Sequence, residues 1–433
     1  MIHKIHSGPN LPSVQAGTPY QIIGFGQAIT DFSNVTYPQN VTNCANCHEG
    51  TNAAAKPSQA LVYLTNPSRD ACGSCHDDIN WTTGANHAAG AQANDLACAT
   101  CHVPDSGQEF DASVKGAHMD PRTSKQLKGL KVSIVGVANA VAGKNATVTF
   151  KITNADGTPV DGNKLSTFSP IQAGPTTSYT WNKRDNAIGK ATFDANAGTT
   201  TYTFIDAIPA GSTGTYAFSA DIRRNATVKR ADGKADISVR ESVINPFKYV
   251  ELKGGTPTPR RAAVTLAQCN TCHAGLSLHG GQRNTTEECV ICHNPTATAA
   301  VTAGGQNEGI SFQRMVHRIH SGEQLTQSYT IGSTNFNDVT FPGDRTNCAK
   351  CHAAGAYVLP LVAGIDSVQT PRDYFSPQGP ATAACLGCHD NSDAAAHAYL
   401  NTVTFPGSTS SNEACATCHG TGKDWDVAKV HAR

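Results

Sequence analysis

The middle third of the chain alternates apolar and polar residues in short runs. Val148, Phe150 and Ile152 occupy every second position of one run, and an Asp-Gly pair follows at 156–157. The same period recurs in four further runs, at 131–137, 202–204, 216–222 and 237–243. A period of two, interrupted by Gly, Asn and Asp, is typical of antiparallel strands. We therefore predict an all-β domain, an antiparallel β-barrel or sandwich, at residues 127–256, with the role of a scaffold; a docking face for a partner is the alternative.

A second pattern has the spacing of a helix. From Phe312 to Ile319, apolar residues recur at intervals of three and four, and Gly322 can end the helix. This helix would present His317 and His320 three residues apart on one face. Two neighbouring cofactors can share such a helix, each taking one histidine.

The cysteines follow one motif, Cys-x-x-Cys-His, which occurs eight times and accounts for all sixteen of them. In c-type haem attachment, two thiols bond to the porphyrin and the adjacent histidine becomes the proximal iron ligand. The predicted attachment residues are Cys44, Cys47, Cys72, Cys75, Cys98, Cys101, Cys269, Cys272, Cys289, Cys292, Cys348, Cys351, Cys385, Cys388, Cys415 and Cys418. The predicted proximal ligands are His48, His76, His102, His273, His293, His352, His389 and His419. The sequence thus predicts eight covalently attached haem c groups.

Paired cysteines have two other common uses, which are structural zinc sites and redox disulfides. Neither use requires a histidine directly after every second cysteine. No cysteine lies outside the eight motifs. Haem attachment is therefore the favoured interpretation.

Nine histidines lie outside the motifs and are candidates for the second axial ligand of each iron. They are His3, His6, His87, His118, His279, His317, His320, His397 and His431. The C-terminal part holds five motifs and five of these histidines, whereas the N-terminal part holds three motifs and four of these histidines. One N-terminal histidine, His3 or His6, is therefore not needed as a ligand. Methionine occurs only at positions 1, 119 and 315. Two histidine ligands predict low reduction potentials, because methionine ligation raises the potential.

Composition agrees with haem-rich domains. The chain has 433 residues, no net charge and only 6% aromatic residues. A balanced charge gives no reason to expect a nucleic-acid partner, and no apolar run has the length of a transmembrane segment. With so few aromatic residues, the haem domains would be mostly loops and short helices around cofactor. We predict such domains at 1–126, with three haems, and at 257–433, with five.

The two predicted haem domains repeat each other. MIHKIHSG at 1–8 corresponds to MVHRIHSG at 315–322, and DFSNVTYPQNVTNCANCH at 31–48 corresponds to NFNDVTFPGDRTNCAKCH at 335–352. Two haem motifs precede the second copy of the octapeptide, and none precedes the first. The duplication therefore predicts that the first copy begins in its middle, with two further motifs expected in the DNA upstream.

A family resemblance rests on several of these segments together. CNTCH followed by LSLHGG, CVICHNP at 289–295, MVHRIHSG and the last three motifs make the layout similar to the outer-membrane decahaem c-type cytochromes of the OmcA/MtrC type. That family alternates two split β-barrel domains with two pentahaem domains. The resemblance implies that this chain holds the family's second domain, cut short, and its third and fourth domains.

The resemblance also implies a location and partners. Family members sit on the outer face of the outer membrane, take electrons from a porin–cytochrome complex and pass them to extracellular metal oxides, chelated metals or flavins. This sequence departs from the family in having eight motifs and no first β domain, export signal, lipidated cysteine or barrel cysteine pair. Because haem c is attached after export, we expect a fragment of a cell-surface protein, with the periplasm as the alternative location.

The expected function is electron transfer by outer-sphere chemistry, without a dedicated catalytic pocket. One alternative is a multihaem reductase with an open haem, although no Cys-x-x-Cys-Lys motif marks such a site. Another is a subunit of a cytochrome filament, in which haem ligands are exchanged between copies.

Overall fold

The computed structural model of the chain describes residues 1–49, 58–404 and 411–431. These residues form two compact units. The first comprises Met1–Leu127, Asn225–Val239 and Cys272–Ala274, and the second comprises Lys128–Arg224, Arg240–Thr271 and Gly275–Arg433. The three-domain division made from the sequence stays a prediction.

The first unit consists of short elements joined by loops. They are α1 (Ile2–Ser7), α2 (Pro12–Gln15), β1 (Gln21–Ile23), β2 (Ile29–Asp31), α3 (Ala45–His48), α4 (Val62–Thr65), α5 (Arg69–Cys72), α6 (Cys98–Cys101) and α7 (Val114–Ala117). Strands β1 and β2 form an antiparallel hairpin. Helices of four to six residues are unstable alone in water, so their positions depend on tertiary contacts.

Nine strands form the β region that was predicted from the alternating pattern. They are β3 (Lys131–Ala138), β4 (Thr147–Thr153), β5 (Thr167–Gly174), β6 (Trp181–Arg184), β7 (Thr192–Asp194), β8 (Thr199–Thr203), β9 (Thr215–Val228), β10 (Ile237–Ser242) and β11 (Lys248–Glu251). One sheet has the order β3-β4-β8-β7, and the other has the order β10-β9-β5-β6 with β11 also on β9. Over the described residues, these sheets do not close into a barrel. The predicted strands at 131–137, 147–152, 216–222 and 237–243 are confirmed.

The alternation explains where the main core lies. Val148, Phe150 and Ile152 are fully buried, and they share a cluster with Phe168 of β5 and Phe218 of β9. Fully burying a side chain of this size contributes roughly 1.5–3 kcal/mol. The polar residues between them face outward, so a register shift of one residue would exchange core and surface.

The C-terminal part of the second unit again has short elements. They are α8 (Leu266–Cys269), α9 (Thr286–Cys292), β12 (Thr298–Ala299), β13 (Glu308–Gly309), α10 (Phe312–Ser321), β14 (Thr330–Ile331), β15 (Thr334–Asn335), α11 (Pro380–Cys385), α12 (Ser392–Leu400), β16 (Thr402–Thr404), β17 (Ser411–Glu413), α13 (Ala416–His419) and α14 (Val427–Val430). Helix α10 confirms the predicted helix; it ends at Ser321, and Gly322 is its C-cap residue. In the described part of the chain, no helix combines the length and hydropathy needed to cross a bilayer.

The β region also supports one of the motif-bearing helices. Ile291 of α9 is fully buried against Ile171 and Ala173 of β5 and against Ala217 of β9. The predicted fold class is confirmed: segments with little regular structure, which carry the cysteine motifs, flank an all-β region.

Candidate haem sites

Most of the cysteine motifs form a single helical turn. In seven of the eight motifs, the backbone N–H of the histidine donates to the carbonyl of the first cysteine at 2.9 Å; the histidines are His48, His76, His102, His293, His352, His389 and His419. This bond spans four residues, as in an α-helix. It brings the two thiols and the imidazole of a motif to the same side of the backbone.

Local capping explains why several of these turns form where they do. Thr265 caps α8 in a reciprocal capping box with Gln268, and Thr285 caps α9 by accepting from the backbone N–H of Glu288. Ser68 caps α5 in the same way. Such caps stabilise a helix end by about 1 kcal/mol, which helps helices that are too short to be stable alone.

The structure places seven proximal histidines next to seven of the other histidines. The distances between ring centroids are 6.0 Å for His3–His48, 6.2 Å for His76–His118, 6.3 Å for His87–His102, 6.1 Å for His279–His293, 5.8 Å for His317–His352, 6.2 Å for His389–His431 and 6.1 Å for His397–His419. Three pairs lie in the first unit and four in the second. Each pair joins one motif histidine to one histidine outside the motifs.

These distances fit a metal ion held between two imidazoles. With metal–nitrogen bonds of about 2.0 Å and each ring centre about 1.1 Å beyond its nitrogen, two imidazoles that shared one metal ion would have centroids up to about 6.2 Å apart. The observed separations of 5.8 to 6.3 Å bracket this value. Ring stacking alone would not place every pair at the same distance, because the angles between the ring planes range from 29° to 89°.

Hydrogen bonds orient many of these rings. The Nδ1–H of His118 donates to the carbonyl of Val114 at 2.7 Å, and that of His431 donates to Val427 at 2.9 Å. His87, His102, His293 and His419 also have a carbonyl acceptor for Nδ1, at 2.8 to 3.0 Å. A donating Nδ1 leaves the lone pair on Nε2 for a metal and raises the basicity of the ligand.

Burial keeps the central imidazoles neutral, which is the form that binds a metal. Burial, together with the neighbouring His352 and His320, lowers the pKa of His317 to about 4. Burial likewise lowers the pKa of His76 and His293. In the same way, burial raises the pKa of the Cys289 and Cys385 thiols to about 12, so these sulfurs lie where an uncharged thioether is favoured over a thiolate.

The remaining predicted ligands are His6, His273 and His320. His6 and His320 each donate from Nδ1 to the carbonyl four residues earlier at 2.9 Å, as His118 and His431 do. His6 stacks edge-on against Tyr37 at 5.0 Å, and within the described residues of the first unit it faces no motif histidine. None of the sixteen cysteines, all of which are described, forms a disulfide.

The sequence reasoning missed the charged partners of the ligand helices. Lys4 of α1 forms an ion pair with Asp77, and Arg318 of α10 forms one with Asp390. A signal was present, because an aspartate directly follows the histidine in CGSCHD and in CLGCHD. Nothing in the sequence alone joins that aspartate to a helix more than sixty residues away.

Repeated cysteine motifs beside histidine pairs at this spacing define a multihaem c-type cytochrome. The family model of outer membrane cytochromes, MtrC/MtrF-like, domains II/IV, matches residues 1–118 and 261–432. The two matched segments contain all eight motifs. This chain belongs to the MtrC/MtrF-like outer membrane cytochromes, and members of this family bind haem c.

Individual relatives agree with this assignment. The multiheme cytochrome MtrC of Shewanella baltica (strain OS185) is 27% identical over 279 residues, which are 57% of this chain and 38% of that protein. The crystal structure of the outer membrane decaheme cytochrome OmcA superposes with a TM-score of 0.70 at 19% identity, over 100% of this chain and 67% of that one. The crystal structure of MtrC from Shewanella baltica OS185 gives a TM-score of 0.61 at 17% identity, over 89% of this chain and 65% of that one.

These matches confirm the predicted resemblance to OmcA/MtrC-type decahaem cytochromes. The two similar structures are less than 25% identical in sequence, so they show similarity of the fold alone. The sequence match spans less than half the length of the MtrC relative. Activity, acceptors and partners of this chain therefore belong to the proposal that follows.

Proposed function

We propose that this chain is an electron-transfer protein that carries eight haem c groups, each with two histidine ligands, and delivers electrons to acceptors outside the cell. The observation that supports this most directly is the set of seven histidine pairs with centroids 5.8 to 6.3 Å apart. The three-domain division at 1–126, 127–256 and 257–433 is part of the proposal.

The residues of the chain have distinct roles in this proposal. The sixteen cysteines would hold the porphyrins, and the paired histidines would ligate the irons. When bound, each haem supplies a one-electron ferric/ferrous couple. Two imidazoles favour a low potential, and the Nδ1 hydrogen bonds lower it further because they increase electron donation to the ferric state. Eight haems need sixteen histidine ligands and the seven pairs supply fourteen, so His273 and one of His6 and His320 would supply the last two.

The paired histidines favour electron transfer over small-molecule reduction. A haem reductase needs an iron with an open position, next to groups that deliver protons. In seven of the eight motifs, a second imidazole lies where it would fill that position. Outer-sphere reduction of metals or flavins needs no such opening.

Location and partners follow from the family and remain proposals for this chain. Membership in a family of outer membrane cytochromes supports a place on the outer membrane surface. It also supports a porin–cytochrome complex as the electron donor. Metal oxides, chelated metals and flavins are the proposed acceptors.

Haem loading and acceptor reduction can be measured on one preparation. The chain is exported from a host that attaches haem c, and its mass is determined; we expect the polypeptide plus eight haems. The Cys415→Ser/Cys418→Ser variant should have a mass lower by one haem. The reduced protein should then be reoxidised by ferric citrate or flavin mononucleotide, as followed by haem absorbance. Fewer than eight haems in the unaltered chain, or no reoxidation by either acceptor, would contradict the proposal.

A further inference from the structure

The helix α1 touches two haem sites of the first unit. His3 faces His48 with a centroid distance of 6.0 Å, so this side of the helix belongs to the site of Cys44 and Cys47. The next residue, Lys4, places its Nζ 2.8 Å from the Oδ2 atom of Asp77. Asp77 directly follows His76, which is the proximal histidine of the next motif. One ion pair therefore connects two sites.

Further contacts hold the same two segments together. Asp77 Oδ1 accepts from the backbone N–H of Ser13 at 3.0 Å, and its Oδ2 accepts from the Ser13 hydroxyl at 2.6 Å. The hydroxyl of Ser7, at the end of α1, lies 3.4 Å from the sulfur of Cys75. The side chain of Asp77 is only 5% exposed. A carboxylate this buried is stabilised only while its charged and hydrogen-bonding partners are present.

The second unit contains the same arrangement at corresponding positions of the repeat. His317 of α10 faces His352 at 5.8 Å, and the next residue, Arg318, reaches Asp390 at 3.4 Å. Asp390 follows His389 and accepts from the backbone N–H of Gln327 at 2.8 Å. Here too a serine ends the helix, and the Ser321 hydroxyl lies 3.1 Å from the sulfur of Cys388.

The cation and the serine of the two arrangements occupy corresponding positions of the octapeptide repeat. MIHKIHSG aligns with MVHRIHSG, so Lys4 corresponds to Arg318 and Ser7 corresponds to Ser321. Lysine and arginine share only their positive charge and length. What the two copies retain is a cation after the ligand histidine, a serine at the helix end and an aspartate after the next proximal histidine.

From this repetition, we propose that Lys4–Asp77 and Arg318–Asp390 are ion-pair clamps, each of which fixes the ligand helix of one haem to the motif of the next and balances the charge between them. The clamps would act as positioning residues that set the difference in reduction potential between the two neighbouring haems. This inference rests on the proposed ligation of the irons by the histidine pairs.

Charge balance predicts the direction in which each substitution shifts the reduction potential. Reduction of a ferric iron adds one electron, which the electrode supplies in a spectroelectrochemical titration, and lowers the charge of the site by one. Removing Lys4 leaves Asp77 as an uncompensated anion beside His76, so the ferric state is stabilised and the potential falls. Removing the charge of Asp77 leaves the cation, so the potential rises. A residue with a merely structural role would not give shifts of opposite sign.

The test is a spectroelectrochemical titration of the haem-loaded chain, of Lys4→Met and of Asp77→Asn. We expect a minority of the haems to shift to lower potential in Lys4→Met and to higher potential in Asp77→Asn, with Lys4→Arg close to the unaltered chain. Lys115→Met is the matched control, because it removes a lysine of the same unit whose 2.9 Å ion pair with Asp105 is exposed. It should leave the titration curve nearly unchanged.

The outcomes distinguish failure of the clamp proposal from failure of the proposed haem ligation on which it rests. Shifts of the same sign in both variants, or a Lys4→Met curve identical to that of Lys115→Met, would overturn the clamp. If Asp77→Asn loses haem, the comparison of Lys4→Met with Lys4→Arg still decides, because these variants differ only in whether the cation is retained. Failure of the proposed function would instead appear in the unaltered chain, as missing haems or as irons that lack two strong ligands.

Discussion

At the scale of the residue, the two clamps differ in how deeply their cations are buried. The Arg318 side chain is 1% exposed, whereas that of Lys4 is 28% exposed. Arg318 also lies 3.9 Å from Asp373 and has its guanidinium carbon 5.3 Å from the centre of the Tyr329 ring. The Arg318 charge is therefore one part of a buried network. The Lys4 charge is partly exposed, so water can replace part of its interaction with Asp77.

This difference predicts unequal losses of stability. Arg318→Met should lower the free energy of unfolding by about 3–5 kcal/mol, because it leaves buried carboxylates without their cation. Lys4→Met should cost about 1 kcal/mol, since its site is partly hydrated. Urea denaturation of the haem-loaded variants measures both, with Lys115→Met as the reference for an exposed pair. Equal losses for the two clamp variants would contradict the account.

A second buried charge lies beside a haem motif. Glu288 is 1% exposed, and burial raises its pKa to about 7, with Asp221 adding to the increase and the Ser219 hydroxyl opposing it. Because the pKa is higher in the folded chain than its usual 4.5, the folded state binds the proton more tightly. The resulting stability is complete below about pH 4.5 and is lost as the pH rises through 7.

Glu288→Gln should remove this dependence. Above pH 7, the variant should be more stable than the unaltered chain by up to about 3 kcal/mol, which is the equivalent of the shift in pKa. The measurement is the unfolding temperature of the haem-loaded protein from pH 5 to 8. Glu287→Gln, which alters the exposed neighbouring carboxylate, should follow the unaltered chain. A falling curve for Glu288→Gln that matches the unaltered one would count against a raised pKa.

At the scale of the element, the ligand helices end in the same way in both units. Gly8 after α1 has φ 44°, and Gly322 after α10 has φ 23°. A Cβ at either glycine would lie 2.2 Å from a backbone carbonyl oxygen, that of Val35 or of Val339. Val35 and Val339 correspond in the repeat. Each ligand helix is thus held close against the segment that leads to the next motif.

Gly322→Ala should therefore displace α10. Strain at such a backbone conformation costs about 1–3 kcal/mol, and the close carbonyl adds to it. We expect a lower unfolding temperature and a changed low-spin spectrum for the haems ligated by this helix. Gly304→Ala, at a glycine of positive φ with open space around its Cβ position, controls for backbone strain alone. Equal effects of the two substitutions would argue against close packing at Gly322.

Elements with a regular pattern could be predicted from the sequence, and the contacts between distant segments could not. The alternation at 147–152 and the helical spacing from Phe312 to Ile319 reflect burial of one face, which the sequence records directly. The cysteine motifs predict which residues bind haem. The pairing of His76 with His118 depends on loops without periodicity, so the count of histidines predicted ligands without partners. The role of Lys4 was missed because a helical lysine is usually a solvated charge.

At the scale of the whole molecule, both units use one scheme of histidine pairing. His3, His87 and His118 pair with the first, third and second motifs of the first unit, and His317, His397 and His431 pair with the corresponding motifs of the second. Apolar burial is distributed differently, because the largest cluster of buried residues lies in the β region. We therefore expect the segments with the cysteine motifs to rely more on cofactor than on side-chain packing.

Loss of haem should therefore affect the two kinds of region unequally. A chain with all sixteen cysteines replaced by serine should retain protection of amide hydrogens in β4, β5 and β9, whose core is made by side chains. The segments around the cysteine motifs should exchange rapidly, because their four-residue helices are unstable alone. Hydrogen exchange followed by mass spectrometry tests this on the whole chain. Equal protection of amide hydrogens in both kinds of region, or equal loss of protection, would contradict this expected difference.

The central claim is that the irons of this chain are held between two imidazoles, and low-temperature EPR of the oxidised, fully haem-loaded protein tests it most directly. The account predicts only low-spin ferric signals, with an integrated intensity that corresponds to the haem content found by mass. A high-spin ferric signal from any of the haems would contradict it, because the account gives every iron two imidazole ligands on the model of the seven pairs whose ring centroids lie 5.8 to 6.3 Å apart.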